Sequence, residues 1–366
     1  MNKMLAGIAL AAALLTGLVL LFNDRPKDVG ALSSAHQSTT VAVILIGPRD
    51  DGGWSESHYT AFESIRDELN LDMLYMENVP DGPACIPYLR EAVERGAKII
   101  FATSFGFEAG VDAVSEQYPS VYFYHCTGVK TGANVATYMG RMYQMRYLSG
   151  LAAGMQTESG HLGYVAAMPI HEVVRGINAF TLGARAANPG VTVHVAWTGE
   201  WMNPEQEKKA TERLLDNHPV DVIAYHQDSD QVMQVGAARG VASIGYHSDM
   251  AGRFPLTCLT SLVWNWAPYY RGATLAALDG RFDGRRRWEG AASGIVDLTP
   301  LAAFSKPGIA AVLAREKELL VSGDKDVFDG PLYDGNGVLR VEEGTVMSDD
   351  RLLNEFDWFV PGVALD

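Results

Sequence analysis

From Thr39 to Pro119, short apolar runs alternate with longer segments whose apolar positions recur every three or four residues. Strands are expected at 41–46, near 71–75, at 98–103 and at 121–125, with helices over about 55–69, 86–95 and 107–117 between them. Strands separated by amphipathic helices of this length form right-handed βαβ units on a parallel sheet. A long helical stretch follows, Gly140 to Met155, whose Gly150, Ala152, Ala153 and Gly154 permit close packing. The alternation then restarts, with strands at 161–166, 191–197, 220–226 and 241–246 and helices over about 171–187, 204–217 and 229–239. Two such series in one chain predict the α/β class, with two Rossmann-like lobes around a cleft.

The remainder is less regular. A strand at 259–263 and a helix from about Ala267 to Leu278 are expected to return the chain to the first lobe. A strand near 294–298, a helix over 307–321, a hairpin from Val327 to Val341 around Asp334-Gly335-Asn336-Gly337, and a segment ending in Trp358-Phe359-Val360 complete the chain. The expected organisation is therefore 39–150 for the first lobe with about 260–300 returning to it, and 151–258 for the second. The tail, 301–366, is assigned to neither.

Residues 1–35 stand apart from this pattern. Lys3 followed by an uncharged run from Met4 to Phe22 reads as an export signal, either cleaved near Ser33-Ser34-Ala35 or retained as an N-terminal anchor, since the run approaches the ~20 residues that span a bilayer. Both outcomes place residue 36 onward outside the cytoplasm, with 23–40 as a polar tether. Lys and Arg number 29 against 44 Asp and Glu, a net charge of −15, which argues against a nucleic-acid partner because phosphate contacts need clustered cations. The one basic cluster, Arg285-Arg286-Arg287, reads as a solvated turn. Cys85, Cys126 and Cys258 follow no metal-ligand spacing; a Cys85–Cys126 bridge is open in an oxidising compartment, with buried free thiols the simpler expectation.

Known catalytic and cofactor motifs are missing. No P-loop, nucleophile elbow, zinc-protease helix or calcium loop is found, and Gly47 with Gly52-Gly53 does not make the dinucleotide fingerprint. No catalytic residue, cofactor or metal is expected. What converges is a set of strand-end loops, each pairing polar groups with an aromatic: Asp50-Asp51 with Trp54, Ser104 with Phe105, Trp197 with Trp201, His226 and Asp228 with Tyr225, His247 and Asp249 with Tyr246, and Asn265 between Trp264 and Trp266. Aromatic walls with sparse hydrogen-bonding groups suit a flat polar ring. A heterocyclic base and a sugar both fit that composition. The first loop, VAVILIGPRDDGGWSESHY over Val41–Tyr59, reads equally as a helix cap through Asp50, Asp51 and Ser55.

Taken in order, DDGGWSESHY, FATSFG, YMGRMYQMRYLSGLAAGM, GYVAAMPIHEVVRGINAFTLGAR, DVIAYHQDS, IGYHSDM, LTSLVWNWAPYY and FDGPLYDGNG resemble the basic membrane protein family, the PnrA-like solute-binding components of ABC transporters. The resemblance runs from about Thr39 to the C-terminus. It implies a type I periplasmic-binding-protein fold and closure of two lobes on a purine base or nucleoside, with an ABC permease as the membrane partner and a monomer as the working form. Trp54 holds the position of the family's base-stacking aromatic, Asp50 and Asp51 that of its acidic pair, and Asp249 that of the second acid of its GxDSDQ-like stretch, where His247 replaces the first. Trp264 stands where nucleoside-binding members carry lysine, which tilts the expected ligand toward a free base such as adenine. The expected ligand-binding set is Asp50, Asp51, Trp54, Ser104, Phe105, Trp201, His226, Asp249, Trp264 and Asn265. The first cysteine is Cys85, so lipid anchoring at a signal-end cysteine is excluded. Two rival readings are a purine nucleoside hydrolase in the same cleft and a ligand-sensing module serving a membrane receptor.

Overall fold

The computed structural model describes residues 38–366, so the expected export signal and anchor lie outside the described residues. The first βα series forms β1 (Thr39–Ile44), α1 (Trp54–Arg66), β2 (Leu71–Met76), α2 (Ile86–Glu94), β3 (Ile99–Ala102), α3 (Glu108–Ser115) and β4 (Tyr122–Cys126). Val41 to Ile44 and Ile99 to Ala102 are buried on both faces, as strands covered by helices on either side must be. A fifth strand, β5 (Val135–Gly140), precedes α4 (Met142–Gln156). The sequence reading passed over β5, although VATYMG has the β-branched and aromatic content of a strand.

The second series forms β6 (His161–Ala166), α5 (His171–Ala187), β7 (Thr192–Trp197), α6 (Pro204–Asn217), β8 (Val222–His226), α7 (Gln231–Ala238), β9 (Ala242–His247) and β10 (Cys258–Trp264). There follow α8 (Ala267–Leu278), β11 (Arg286–Glu289), β12 (Val296–Leu298), α9 (Ile309–Ser322), β13 (Leu332–Tyr333), β14 (Leu339–Val341), α10 (Asp349–Asn354) and β15 (Val363–Leu365). One sheet has the order β11-β5-β4-β3-β1-β2, the other β12-β10-β9-β8-β6-β7-β15. Both contain the doubly wound order in which the first strand lies between the second and third. The type I solute-binding fold is therefore the architecture of this chain.

Two lobe assignments and one local reading differ from the expectation. Helix α4 packs on α5 rather than on the first lobe, because Gly150, Gly154 and Gly183 bring the two backbones together: a Cβ on Gly150 would lie 2.0 Å from Phe180 O and one on Gly183 1.9 Å from Tyr147 O. Strand β10 stays in the second sheet, parallel to β9, and of the segment expected to return only α8 and β11 do so. Tyr270 of α8 stacks on Phe62 of α1 at 4.1 Å, and Ala273 O accepts from Tyr124. The arginine cluster is no turn. Arg286 and Arg287 open β11, an edge strand parallel to β5, where only backbone pairing is needed and exposed charges discourage further strands.

The chain crosses between lobes after β5, after β10 and between β11 and β12. These crossings meet at Gly140, where a Cβ would lie 2.6 Å from the Trp264 ring and 2.7 Å from Val296. The tail belongs to the second sheet: β15 runs parallel to β7, and Asn178 of α5 donates to Trp358 O and accepts from Val360 N. The expected hairpin shrinks to β13 and β14 around Asp334, whose Oδ1 accepts from Asn336 N and Val338 N. All three cysteines are free and buried, Cys85 and Cys126 lying in separate hydrophobic clusters, so no bridge links them.

Candidate functional site

In each sheet the strand order reverses beside the first strand, between β1 and β3 and between β6 and β8. Ligands of open α/β sheets bind beyond the carboxyl ends of strands at such points. Here the two switch points face a shared cavity of about 340 Å³, within the roughly 300–1,000 Å³ usual for small-molecule sites.

On the first-lobe wall, Asp51 Oδ1 accepts from Gly53 N (2.8 Å) and Glu56 N (3.0 Å), and Oδ2 accepts from Ser55 N (2.8 Å). Both oxygens thus satisfy amides at the start of α1 that the helix itself cannot. Trp54, held by its Nε1–H donating to Thr103 O at 2.7 Å, also faces the cavity. Its remaining ring contacts are edge-to-face, with His58, His247, Trp264 and Trp266 at 4.4–5.8 Å. Ser104 donates to Asp81 at 2.8 Å, and Phe105, 60% exposed, stands at the rim.

The second-lobe wall is built from Glu172, Trp201, His226, Asp228, Tyr246 and His247. His226 is buried, and burial together with the Arg146 guanidinium pushes its pKa well below the usual histidine value, so it is neutral at pH 7. His247 is 3% exposed and sits in the left-handed region at φ 71°, a strained conformation for a non-glycine residue. Packing holds it there. It stacks on Tyr246 with centroids 3.7 Å apart, its Nδ1 accepts from Trp264 Nε1 at 3.2 Å, and its Nε2 donates to Gln227 O at 3.0 Å. Glu172, in the first turn of α5, has its side chain 28% exposed and lines the cavity. Burial raises its pKa, and the charges of Arg175 and Arg146 offset part of that rise.

Six residues of the expected set line this cavity: Asp51, Trp54, Ser104, Phe105, Trp201 and His226. Four do not. Asp50 is exposed and is not among the lining residues. Asp249 is exposed and accepts from Ala251 N at 2.9 Å, the local turn-capping role open to any Asp after a strand. Asn265 donates to Gly294 O at 3.1 Å, and Trp264 is buried, stacked on Trp266 at 4.7 Å. Asp249, Trp264 and Asn265 line a separate crevice behind the Trp54–His247 wall. Glu172 was missed because no aromatic adjoins it in sequence; its one available signal was position, just after the first strand of the second series. Asp228, Tyr246 and His247 lay in loops already singled out, but their approach to the cavity depends on β8 and β9 being neighbours.

A model of the PnrA-like ABC transporter substrate-binding proteins matches residues 38–322. The chain is 35% identical over 340 residues to a purine-binding protein of Brucella abortus, covering 92% of this chain and 95% of that one. It is 34% identical over 337 residues to a putative ABC transporter glucose-binding protein of Haloferax volcanii, covering 91% and 82%. A solved ABC transporter solute-binding protein from Conexibacter woesei superposes with a TM-score of 0.67 at 21% identity, over 79% of this chain and 98% of that one, a likeness of fold. By the family match and the near-complete alignment to these relatives, the chain belongs to the PnrA-like family of ABC transporter substrate-binding proteins.

Proposed function

We propose that this protein captures a free purine base outside the cytoplasm and delivers it, as a closed two-lobed complex, to an ABC permease. The observation that carries this reading is the cavity between the two switch points, walled by Trp54, Phe105, Trp201 and Tyr246 and edged by carboxylates. Flat rings present π faces to aromatic walls and N–H groups to acceptors, and a cavity that offers both fits a base. The purine-binding relative supports the same class.

A bare base is preferred over a nucleoside because Trp264 and His247 fill the side of Trp54 where the family resemblance places a lysine. Ligand binding would draw the lobes together around the crossings at Gly140, and the closed population is what a permease distinguishes. The protein acts as a monomer in this scheme. A sugar is the second reading, favoured by the name of the Haloferax relative and by the ability of sugars to stack on tryptophan. Native mass spectrometry of protein purified without refolding separates the two. A retained purine mass is expected, and a hexose mass would overturn the assignment.

A further inference from the structure

We infer that Glu172 reads the ligand, and that it selects heterocycles carrying an exocyclic amine over those carrying an oxo group at the same position. This rests on the purine reading and sharpens it to a substrate class. Among the described residues the cavity lining contains four carboxylic acids, Asp51, Asp81, Glu172 and Asp228, and no lysine or arginine. Such a surface repels phosphorylated and acidic ligands and attracts those rich in N–H donors.

The four acids are not equivalent. Asp51 has both oxygens committed to the start of α1, Asp81 accepts from Ser104, and Asp228 lies 3.3 Å from His247 Nε2. Among the described residues Glu172 accepts no hydrogen bond, its closest basic neighbour being the neutral His226 at 3.9 Å. Its Coulombic partners, Arg146 and Arg175, instead direct their hydrogen bonds to the backbone oxygens of Tyr225 and Leu352. A partly buried carboxylate without a donor is costly until a ligand supplies one. An exocyclic amine supplies N–H groups. An oxo group in its place turns lone pairs toward a carboxylate aimed at that position and takes away the donor there, a basis for rejection.

Adenine and hypoxanthine form the test pair: the C6 amine becomes an oxo group and N1 gains a proton, so the oxo base keeps an N–H only at the neighbouring ring position. Titration calorimetry at pH 7 should find adenine bound at least about tenfold more tightly than hypoxanthine, the scale set by a hydrogen bond to a charged group. In Glu172→Gln the ratio should fall within about threefold, mainly through a gain for hypoxanthine, because the amide can turn to offer an acceptor or a donor. Equal affinities in the unaltered protein, or an unchanged ratio in the variant, would overturn the assignment of Glu172. Failure of both bases to bind the unaltered protein would instead remove the purine reading itself.

Discussion

Asp51 and Glu172 occupy matching places in the two lobes. Each follows the first strand of its sheet, each stands at the start of the next helix, and each lines the same cavity. Asp51 is saturated by three backbone amides, whereas Glu172 faces the cavity with none among the described residues. The first lobe therefore spends its acid on fixing the loop that presents Trp54, and the second leaves its acid open for recognition. A binding site divided between two similar halves can assign rigidity to one and selectivity to the other.

Three substitutions separate these roles. Trp54→Ala, which removes the stacking wall that Asp51 holds in place, should weaken base binding by roughly five- to 150-fold, a loss of ~1–3 kcal/mol by analogy with base–aromatic stacking. Calorimetry reads it directly, and unchanged affinity would place the base elsewhere. Asp51→Ala should cost about 2 kcal/mol of stability through lost helix capping, with the adenine-to-hypoxanthine ratio preserved. Urea unfolding beside ligand titration checks both; a change in ratio without a change in stability would reverse the division of labour.

The smallest effect has the opposite sign. Burial raises the Glu172 pKa in the folded chain, so folding favours its protonated form. That stabilising contribution is fully present below the unfolded value and is lost as pH rises through the folded pKa. Glu172→Gln should therefore make the unliganded protein more stable at pH 7, by less than about 1 kcal/mol, because it removes an uncompensated partly buried charge. The gain should vanish in unfolding curves recorded below the ordinary glutamate value of 4.5. A destabilised variant at neutral pH would mean that Glu172 is already paired.

The alternation of apolar runs and amphipathic helices was enough to place both doubly wound sheets and the loops at their switch points. Trp54, Ser104 and His226 were legible as strand-end residues, because Trp54 opens the helix after β1, Ser104 lies just past β3 and His226 ends β8. Strand β11 was hidden because Arg286 and Arg287 take part through their backbones, which composition does not report. Trp264 and Asp249 were misplaced for a different reason. Strand-end position brings a residue to the cleft edge, but side-chain partners decide which face it serves, and Trp264 is turned away by its bond to His247. Local capping claimed Asp249 in the same way.

The meeting of three crossings at Gly140 also limits how the lobes can part. A single tether would leave them free to swivel about its axis. Three strands of chain are pressed together there, with the Trp264 ring and Val296 closing on the spot where any larger residue would carry a Cβ, a contact that would resist such torsion more than bending. In the proposed closing motion, opening would be reduced to something near a one-axis door, and the Trp54 wall would return to face Glu172 in the same alignment each time it shut.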